Sequence, residues 1–350
     1  MQSTVADPEQ TGAESHSSGS AAVRRKRLKI AGSYGVTVFL LVTLNFFLPR
    51  VMPGDPIEAM LASASSASAS ATITDEETRS ALRRYYGLDR PLGEQYLRYL
   101  RGLAQGDLGR SIRFNRPVRD LIGERIPWTL LLGGTAMVIA TVVGALTGIH
   151  SGWKRGGRLD RGLLAFFAGI ANFPGFFVAS MALFFFAVKL RWVPLGGATT
   201  SFADFGPWRT ALDIARHLAL PASIMGIQFA AGQYLIMRAG MVGQLGSDYL
   251  LLGRAKGLQE RRLKYRYAAR NGLLPLVSLT ALTLSFVVAG AIFVERVFAY
   301  PGLGQLTFQA AGFRDYPLMQ GTFLFLSVSV VSFNALADLA LTKLDPRTAS

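Results

Sequence analysis

The chain has 350 residues, with 37 Lys and Arg against 22 Asp and Glu, no cysteine and three histidines. Half of the residues are hydrophobic and only 17% are charged, whereas soluble domains carry roughly 25% charged residues. The absence of cysteine excludes disulfides, thiolate metal sites and cysteine nucleophiles. Three scattered histidines do not favour a histidine metal cluster. The composition indicates an integral membrane protein with no metal site.

Six charge-free stretches are long enough to cross a hydrocarbon core of about 30 Å, which takes around 20 helical residues. They are predicted as helices because backbone groups in lipid must be satisfied within the segment. The six stretches are Ala31–Leu48, Trp128–Ile149, Gly162–Val188, Leu218–Met237, Leu273–Val294 and Pro317–Ala337. The third contains Asn172-Phe-Pro174, where proline is expected to kink the helix. The sequence therefore predicts an all-α membrane protein with six transmembrane helices.

Basic residues lie before the first helix, between helices two and three, and between helices four and five. They are Arg24, Arg25, Lys26, Arg27 and Lys29, then Lys154, Arg155, Arg158 and Arg161, then Arg238, Arg254, Lys256, Arg261, Arg262, Lys264, Arg266 and Arg270. Positive loops face the cytoplasm, so both termini are predicted there, in a multi-pass protein of the cell (inner) membrane. The net charge of +15 is ascribed to this topology and to anionic membrane lipid. No nucleic-acid partner is expected.

The chain is predicted to consist of five parts. Residues 1–29 form a disordered cytoplasmic tail, 30–52 the first transmembrane helix, 53–126 an extracytoplasmic segment, 127–342 the main transmembrane domain and 343–350 a cytoplasmic C-terminus. Within 127–342 helices are predicted over 127–150, 160–189, 217–238, 273–295 and 316–338, with a loop over 243–272.

The extracytoplasmic segment begins with a Ser/Ala run, Ala62–Ala71, which is typical of a flexible insertion. Thr74-Asp-Glu-Glu77 predicts a helix N-cap, and Gly87 predicts the end of that helix. Gly93–Ala104 has the apolar spacing of a second amphipathic helix. The periodicity leaves two interpretations open, a cap packed on the outer membrane surface and a substrate-docking surface.

The loop between helices four and five combines an apolar patch with a basic flank on a predicted helix–glycine–helix. Its sequence runs from Asp248 through Gly253 and Gly257 to Arg262. Such a stretch can lie on the lipid surface, and its glycine can merely end a helix. Alternatively, the short helix docks in a groove on a separate cytoplasmic protein. Residue patterns alone leave both interpretations open.

Motifs in this loop and along the chain point to a family. They are Asp248-Tyr249, Arg254-Ala-Lys-Gly257-Leu258, Arg261-Arg262, Arg270-Asn271 and Leu274-Pro275, with Pro53-Gly-Asp-Pro56, Gly87-Leu-Asp-Arg-Pro91, Gly106-Asp-Leu-Gly109, Pro301-Gly-Leu-Gly304 and Arg314-Asp-Tyr-Pro317 elsewhere. In this order they resemble permease subunits of binding-protein-dependent ABC importers of the dipeptide/oligopeptide B-subunit type. The loop resembles their EAA loop, although its first residue of that trio is not Glu and Gly253 replaces the usual Ala.

The resemblance implies a type I ABC importer transmembrane fold and a non-catalytic permease. Its expected partners are a second homologous permease subunit, two cytoplasmic ABC ATPases and an extracytoplasmic substrate-binding protein. The chain has no GxxxxGK[ST] phosphate loop, so ATP and Mg are expected on the ATPases and no cofactor on this chain. Di- or oligopeptides are the expected cargo, with nickel or other metal chelates and glutathione as alternatives.

The resemblance also implies that the loop is the ATPase-coupling helix. Its residues are Asp248, Tyr249, Leu252, Arg254, Ala255, Lys256, Gly257, Leu258, Arg261 and Arg262. Leu252 and Leu258 are expected as apolar anchors, Gly257 as a sharp turn or a point of close approach, and the four cations as a charged rim.

Two other classes are less favoured by the sequence. A secondary transporter usually has ionisable groups at mid-membrane and internal repeats, and the predicted helix cores carry no charge. A membrane enzyme needs a nucleophile–base set or paired carboxylates at membrane depth, and the sequence offers none there. No catalytic residue is predicted, and the polar residues within the helices, such as Asn45 and Gln233, are not assigned to a substrate site.

Overall fold

The computed structural model describes residues 32–52, 54–58, 61, 76–203 and 205–344. The predicted disordered tail, the Ser/Ala run, the Thr74 N-cap and the last residues of the C-terminus lie outside these ranges. The long helices of the described part are α1 (Gly32–Val51), α4 (Val118–Trp153), α7 (Pro207–Gln244), α9 (Ala269–Val297) and α11 (Tyr316–Leu344). Shorter helices are α2 (Glu76–Tyr86), α3 (Leu92–Ala104), α5 (Arg158–Asn172), α6 (Gly175–Ala182), α8 (Asp248–Ala255) and α10 (Leu303–Gly312).

Four of these helices, α1, α4, α7 and α11, are long and apolar enough to cross a membrane, and the bent pair of α5 with the segment after Pro174 makes up to five. The fifth predicted span coincides with α9, which has 29 residues and contains the apolar stretch Pro275–Leu284. Most observed helices run beyond the charge-free stretches that predict them. Charged residues are tolerated at these helix ends because their side chains reach the headgroups and water.

The third predicted span is broken rather than continuous. Helix α5 ends at Asn172, Phe173 is extended, and α6 with the π-helical turn Leu183–Lys189 continues at an angle of 106° to α5. Proline explains the break, because Pro174 has no N–H to donate and pushes the preceding residue out of the helical region. The bend in the span predicted over Gly162–Val188 falls at the kink expected from Asn172-Phe-Pro174.

Helices α4 and α7 pack closely through a line of glycines that the sequence analysis did not single out. A Cβ at Gly144, Gly148 or Gly152 would lie 2.5–2.7 Å from side-chain carbons of α7, among them those of Met237 and Met241. Glycines four apart share one helix face and let two backbones approach, which supports helix association where water supplies no hydrophobic driving force. This contact holds α4 and α7 together along the half of α4 that leads to Trp153.

Loops of the chain lie at the two ends of the bundle. We call the end with the positively charged loops the basic end and the other the opposite end. The basic end carries residues 154–157 and 245–268, and the opposite end carries residues 54–58, 76–117, 190–203, 205–206 and 298–315. At the opposite end α2 and α3 lie as predicted, and Gly87, with φ of +67°, ends α2. Leu88 N–H donates to the Arg83 carbonyl at 2.8 Å, which is the hydrogen bond of a Schellman motif.

A buried carboxylate organises the turn between α9 and α10. Glu295 is fully buried and accepts hydrogen bonds from the Thr129 hydroxyl at 2.7 Å and the Gln305 N–H at 3.1 Å. Thr129 in turn accepts from the Leu303 N–H at 2.7 Å. Thr129 and Glu295 therefore satisfy the N–H groups of Leu303 and Gln305 in the first turn of α10, which a helix leaves without internal partners. Helices α4, α9 and α10 are joined at this point.

Candidate functional site

Helix α8 ends at Gly257, whose φ is +73°. The Leu258 N–H donates to the Gly253 carbonyl at 3.0 Å, and the Gly257 N–H donates to the Arg254 carbonyl at 2.9 Å. These two bonds define a Schellman motif with Gly257 in the left-handed position, where a Cβ is unfavourable. The predicted sharp turn at Gly257 is present. A Cβ at Gly257 would have no atom of the described chain within 4 Å, so this turn is open to its surroundings.

One face of α8 is anchored to the basic end of the bundle. Leu250 is fully buried, and a Cβ at Gly253 would lie 2.5 Å from Leu263 Cδ2. The apolar cluster around them joins α4, α7, α8 and α9. Its buried members are Ile149, Met237, Met241, Leu250, Leu263, Ala268, Ala269 and Leu276. Interiors are close-packed and transmit displacement, so α8 is a rigid extension of the long helices.

The other face of α8 exposes two leucines. Leu251 and Leu252 are 57% and 56% exposed. Leu251 was missed by the sequence analysis, although the helical spacing of the buried Leu250 and Gly253 places residues 251, 252 and 255 on the opposite side. An adjacent pair of exposed leucines on a fixed helix is a surface suited to an apolar partner.

Leu258, the second residue that the resemblance implies as an anchor, is less exposed than Leu252. Its side chain is half-buried and packs against the apolar cluster, and Leu258 Cδ1 lies 3.5 Å from the Cβ position of Gly253. The physical reason is the Schellman motif, in which the residue after the left-handed glycine packs back on the last turn of the helix. Leu258 thus stabilises the turn. The exposed leucines of α8 are Leu251 and Leu252.

The charged residues of the site surround this face. Arg254 Nε donates to Glu260 Oε1 at 2.9 Å, and its guanidinium lies 5.9 Å from the Trp153 ring. Lys256, Arg261 and Arg262 are exposed and form no ion pair within the described ranges. The remaining predicted residues lie on α8 itself: Asp248 begins the helix, Ala255 is exposed, and the Tyr249 hydroxyl donates to Gln244 Oε1 at 2.7 Å. All ten predicted residues therefore lie at the basic end.

The described part of the chain brings together no group of three or more His, Asp or Glu side chains that could hold a metal ion. The described residues include three buried carboxylates, Asp160, Glu295 and Asp315, and each is hydrogen-bonded within the chain. Asp315 accepts from the N–H groups of Arg113 at 2.9 Å and Leu318 at 3.1 Å. Asp160 accepts from Arg238 Nε and Nη2 at 2.7 and 2.8 Å, and Glu295 caps α10. The site around α8 offers apolar contact, positive charge and a rigid link to the long helices, which are the properties of a docking surface.

Comparison with known proteins gives consistent family relationships. The family described as "Binding-protein-dependent transport system inner membrane component" matches residues 140–350. A putative peptide permease protein of Brucella suis is 40% identical over 316 residues, covering 89% of this chain and 95% of its own. The oligopeptide transport system permease protein AppB of Bacillus subtilis is 32% identical and covers 93% and 98%. The di/tripeptide transport system permease protein DppB of Pseudomonas aeruginosa is 32% identical and covers 93% and 97%.

Among solved structures, the inward-facing MetNI methionine ABC transporter is similar in fold. One of its chains matches with a TM-score of 0.50 and 18% identity, covering 64% of this chain and 96% of that one. The all-α type I ABC importer transmembrane fold predicted from the sequence is confirmed. This chain belongs to the family of binding-protein-dependent transport system inner membrane components.

Proposed function

We propose that this protein is the permease subunit of an ATP-driven ABC importer for di- or oligopeptides delivered by an extracytoplasmic binding protein. The observation that carries the proposal is the exposed Leu251–Leu252 pair on a helix that is packed rigidly into the bundle. The peptide cargo is supported by the names of relatives that match this chain along most of its length. Selectivity is left to the binding protein.

In this proposal α8 docks in a groove of a cytoplasmic ATPase. Leu251 and Leu252 supply the apolar anchors, since buried anchors near the centre of a contact carry most of its free energy. Arg254, Lys256 and the Arg261–Arg262 pair form a cationic rim, which fixes orientation and speeds association. Asp248, Tyr249 and Ala255 complete the helix, while Gly257 and Leu258 set the turn that ends it.

The anchored face of α8 transmits the movement of the ATPase. Leu250 and Leu263 pack with Met237 and Met241 of α7 and with Ile149 of α4, and the glycine line keeps α4 and α7 together. A displacement of α8 therefore moves the basic ends of the long helices as one body. ATP binding to the partner shifts the population between two arrangements of the pathway, as a rigid-body transition.

The remaining parts of the proposal concern orientation and partners. The basic end faces the cytoplasm, because positively charged short loops are retained there, and both termini lie on that side. A second homologous permease, two ATPases and the binding protein complete the transporter. This chain is a non-catalytic subunit that binds no cofactor, and ATP with Mg is bound by the ATPases.

The decisive experiment reconstitutes the whole complex with its binding protein in vesicles and measures ATP hydrolysis. Dipeptides, longer peptides, glutathione and a nickel chelate are added in separate arms. We expect stimulation by peptides and no peptide uptake by vesicles that contain this chain without the ATPases. Stimulation by the chelate or by glutathione alone would reject the peptide cargo. Uptake by the isolated chain would reject an ATP-driven permease.

A further inference from the structure

Helix α4 exposes an apolar stripe on the side away from α7. Val138, Val142 and Leu146 are 64%, 51% and 49% exposed. They are four residues apart and lie opposite the glycines that contact α7. The stripe runs along a membrane-spanning helix toward the basic end, where His150 continues it. This side of α4 is therefore suited to contact with an acyl chain.

The stripe ends in a shallow cavity that is wide open at the surface and lined by cations. The cavity has a volume of about 520 Å³, and its lining residues are Leu146, Gln259, Arg261, Arg262, Tyr265 and Arg266. No carboxylate lines it, since Glu260, the nearest acidic residue in sequence, pairs with Arg254 instead. The three arginines form no ion pair within the part of the chain that the structure describes. The cavity thus combines one apolar wall with three uncompensated guanidinium groups.

Lys264 and His150 lie beside Tyr265, which lines the cavity. Burial, and to a smaller extent the positive charge of Lys154, lowers the pKa of Lys264. Lys264 Nζ lies 4.9 Å from the ring of Tyr265, whose hydroxyl is 3.0 Å from His150 Nε2. Tyr265 is therefore held between the end of the stripe and the cations. An anion placed here would be attracted by every charged side chain that lines the cavity or lies beside Tyr265.

We propose that this cavity binds the headgroup of an anionic phospholipid whose acyl chain lies along Val138, Val142 and Leu146. The phosphate is recognised by Arg266 and the neighbouring guanidinium groups, and the apolar stripe distinguishes a lipid from a free anion. Basic pockets beside membrane helices select anionic headgroups in this way. The site shares Arg261 and Arg262 with the cationic rim of the proposed ATPase contact. It goes beyond the proposed function because Arg266 and the apolar stripe bind a lipid and not the ATPase.

The test is native mass spectrometry of the purified chain in neutral detergent, titrated with phosphatidylglycerol or phosphatidylcholine. We expect Arg266→Gln to raise the half-saturating concentration of phosphatidylglycerol about fivefold, since each cation near a membrane surface contributes about 1 kcal/mol. Arg158→Gln is the control, because it removes the same charge at the basic end without touching the cavity. An equal loss in both variants, or equal binding of the two lipids by the native chain, would overturn the proposal.

Two further arms address the acyl chain and the source of the phosphate. Leu146→Asn should weaken phosphatidylglycerol binding more than Leu130→Asn, which makes the same change at an exposed leucine on the opposite face of α4. Displacement of the lipid by an equal concentration of inorganic phosphate would show that the cavity binds the phosphate group without the acyl chain. That result would overturn the assignment to a lipid.

The last experiment is a crosslinking measurement on the assembled transporter. Because this chain contains no cysteine, the Leu146→Cys variant is labelled with a photoactivatable reagent at that position alone before it is assembled with its partners. We expect crosslinks to phospholipid. A dominant crosslink to the second permease subunit would show that protein covers the stripe, and would reject the lipid site.

Discussion

The turn between α9 and α10 and the turn after α8 both depend on glycine, but they differ in what surrounds the glycine. At the opposite end, a Cβ on Gly302 would lie 2.1–2.3 Å from the carboxylate atoms of Glu295. At the basic end, a Cβ on Gly257 would have no described neighbour within 4 Å. The first glycine is required by the interior of this chain. The second is required by its own backbone conformation, with φ of +73°.

The two regions also differ in whether their polar groups find partners within the chain. Glu295, Thr129 and the first N–H groups of α10 satisfy one another without solvent. Around α8, by contrast, two leucines and three cations have no partner within the described residues. A region that satisfies all of its groups internally serves the fold, whereas a region that leaves apolar and charged groups open is suited to a partner. Substitutions in the two regions should therefore affect different measurements.

The largest effect is expected for Gly302→Ala, which should lower the free energy of unfolding by about 3 kcal/mol through overpacking and displacement of a buried carboxylate from its donors. Equilibrium unfolding of the purified chain in detergent measures it. Gly312→Ala is the matched control, since it lies at the end of the same helix with no atom within 4 Å, and its effect should stay within about 1 kcal/mol. Equal destabilisation by both variants would show that the fit around Glu295 does not matter.

The second prediction concerns the open region. Leu252→Asp should change the free energy of unfolding by less than about 0.5 kcal/mol because the side chain is exposed. It should weaken association with the ATPase by about 2 kcal/mol, roughly 30-fold, because an interface anchor is lost. Co-purification of the ATPase with the permease measures this. Leu97→Asp makes the same change at an exposed leucine of α3 and should leave association intact. If the two variants bind the ATPase equally well, α8 is not the contact.

Two substitutions at Gly257 distinguish a role in the backbone turn from a role in the close approach of a partner protein. Valine is strongly disfavoured in the left-handed region, where the cost for a residue with a Cβ is about 1–2 kcal/mol, so Gly257→Val should reduce ATP-driven uptake about 5- to 30-fold. Asparagine tolerates this conformation, and Gly257→Asn should retain more than half of the uptake. Uptake in reconstituted vesicles is the measurement. If Gly257→Asn is as damaging as Gly257→Val, the partner approaches the backbone too closely for any side chain.

The sequence was most informative where one residue's chemistry decides the local structure. Charge-free stretches identified the long helices, because burying charge in lipid is costly. Pro174 located the break in the third span, and Gly87 and Gly257 located two helix ends. The inward position of Leu258 was also predictable, because an apolar residue that directly follows the glycine of a Schellman motif packs back on the helix.

Contacts between residues distant in sequence could not be predicted from one chain. Thr129 and Glu295 are 166 residues apart, and their hydrogen bond depends on the packing of three helices. The glycine line of α4 has a recognisable spacing, but its partner helix is fixed only in the folded bundle. The exposed and buried faces of α8 likewise depend on where Leu263 lies. Tertiary placement, rather than local propensity, therefore defines the candidate site.

The smallest effect is expected at the ion pair of Arg254 and Glu260. The two side chains are 42% and 60% exposed, and exposed pairs contribute at most about 1 kcal/mol, so neither Arg254→Gln nor Glu260→Gln should measurably change the unfolding transition. Their effects on ATPase association should differ. Arg254→Gln removes a cation from the proposed rim and should weaken association a few-fold at low salt, less so at high salt.

Glu260→Gln breaks the same pair but leaves the cation in place, so association should be unchanged or slightly tighter. Titration of the ATPase at low and high salt compares the two variants. Equal weakening by both would mean that the pair acts by holding the segment after Gly257 against α8. In that case the geometry of the turn, rather than its positive charge, would determine the contact.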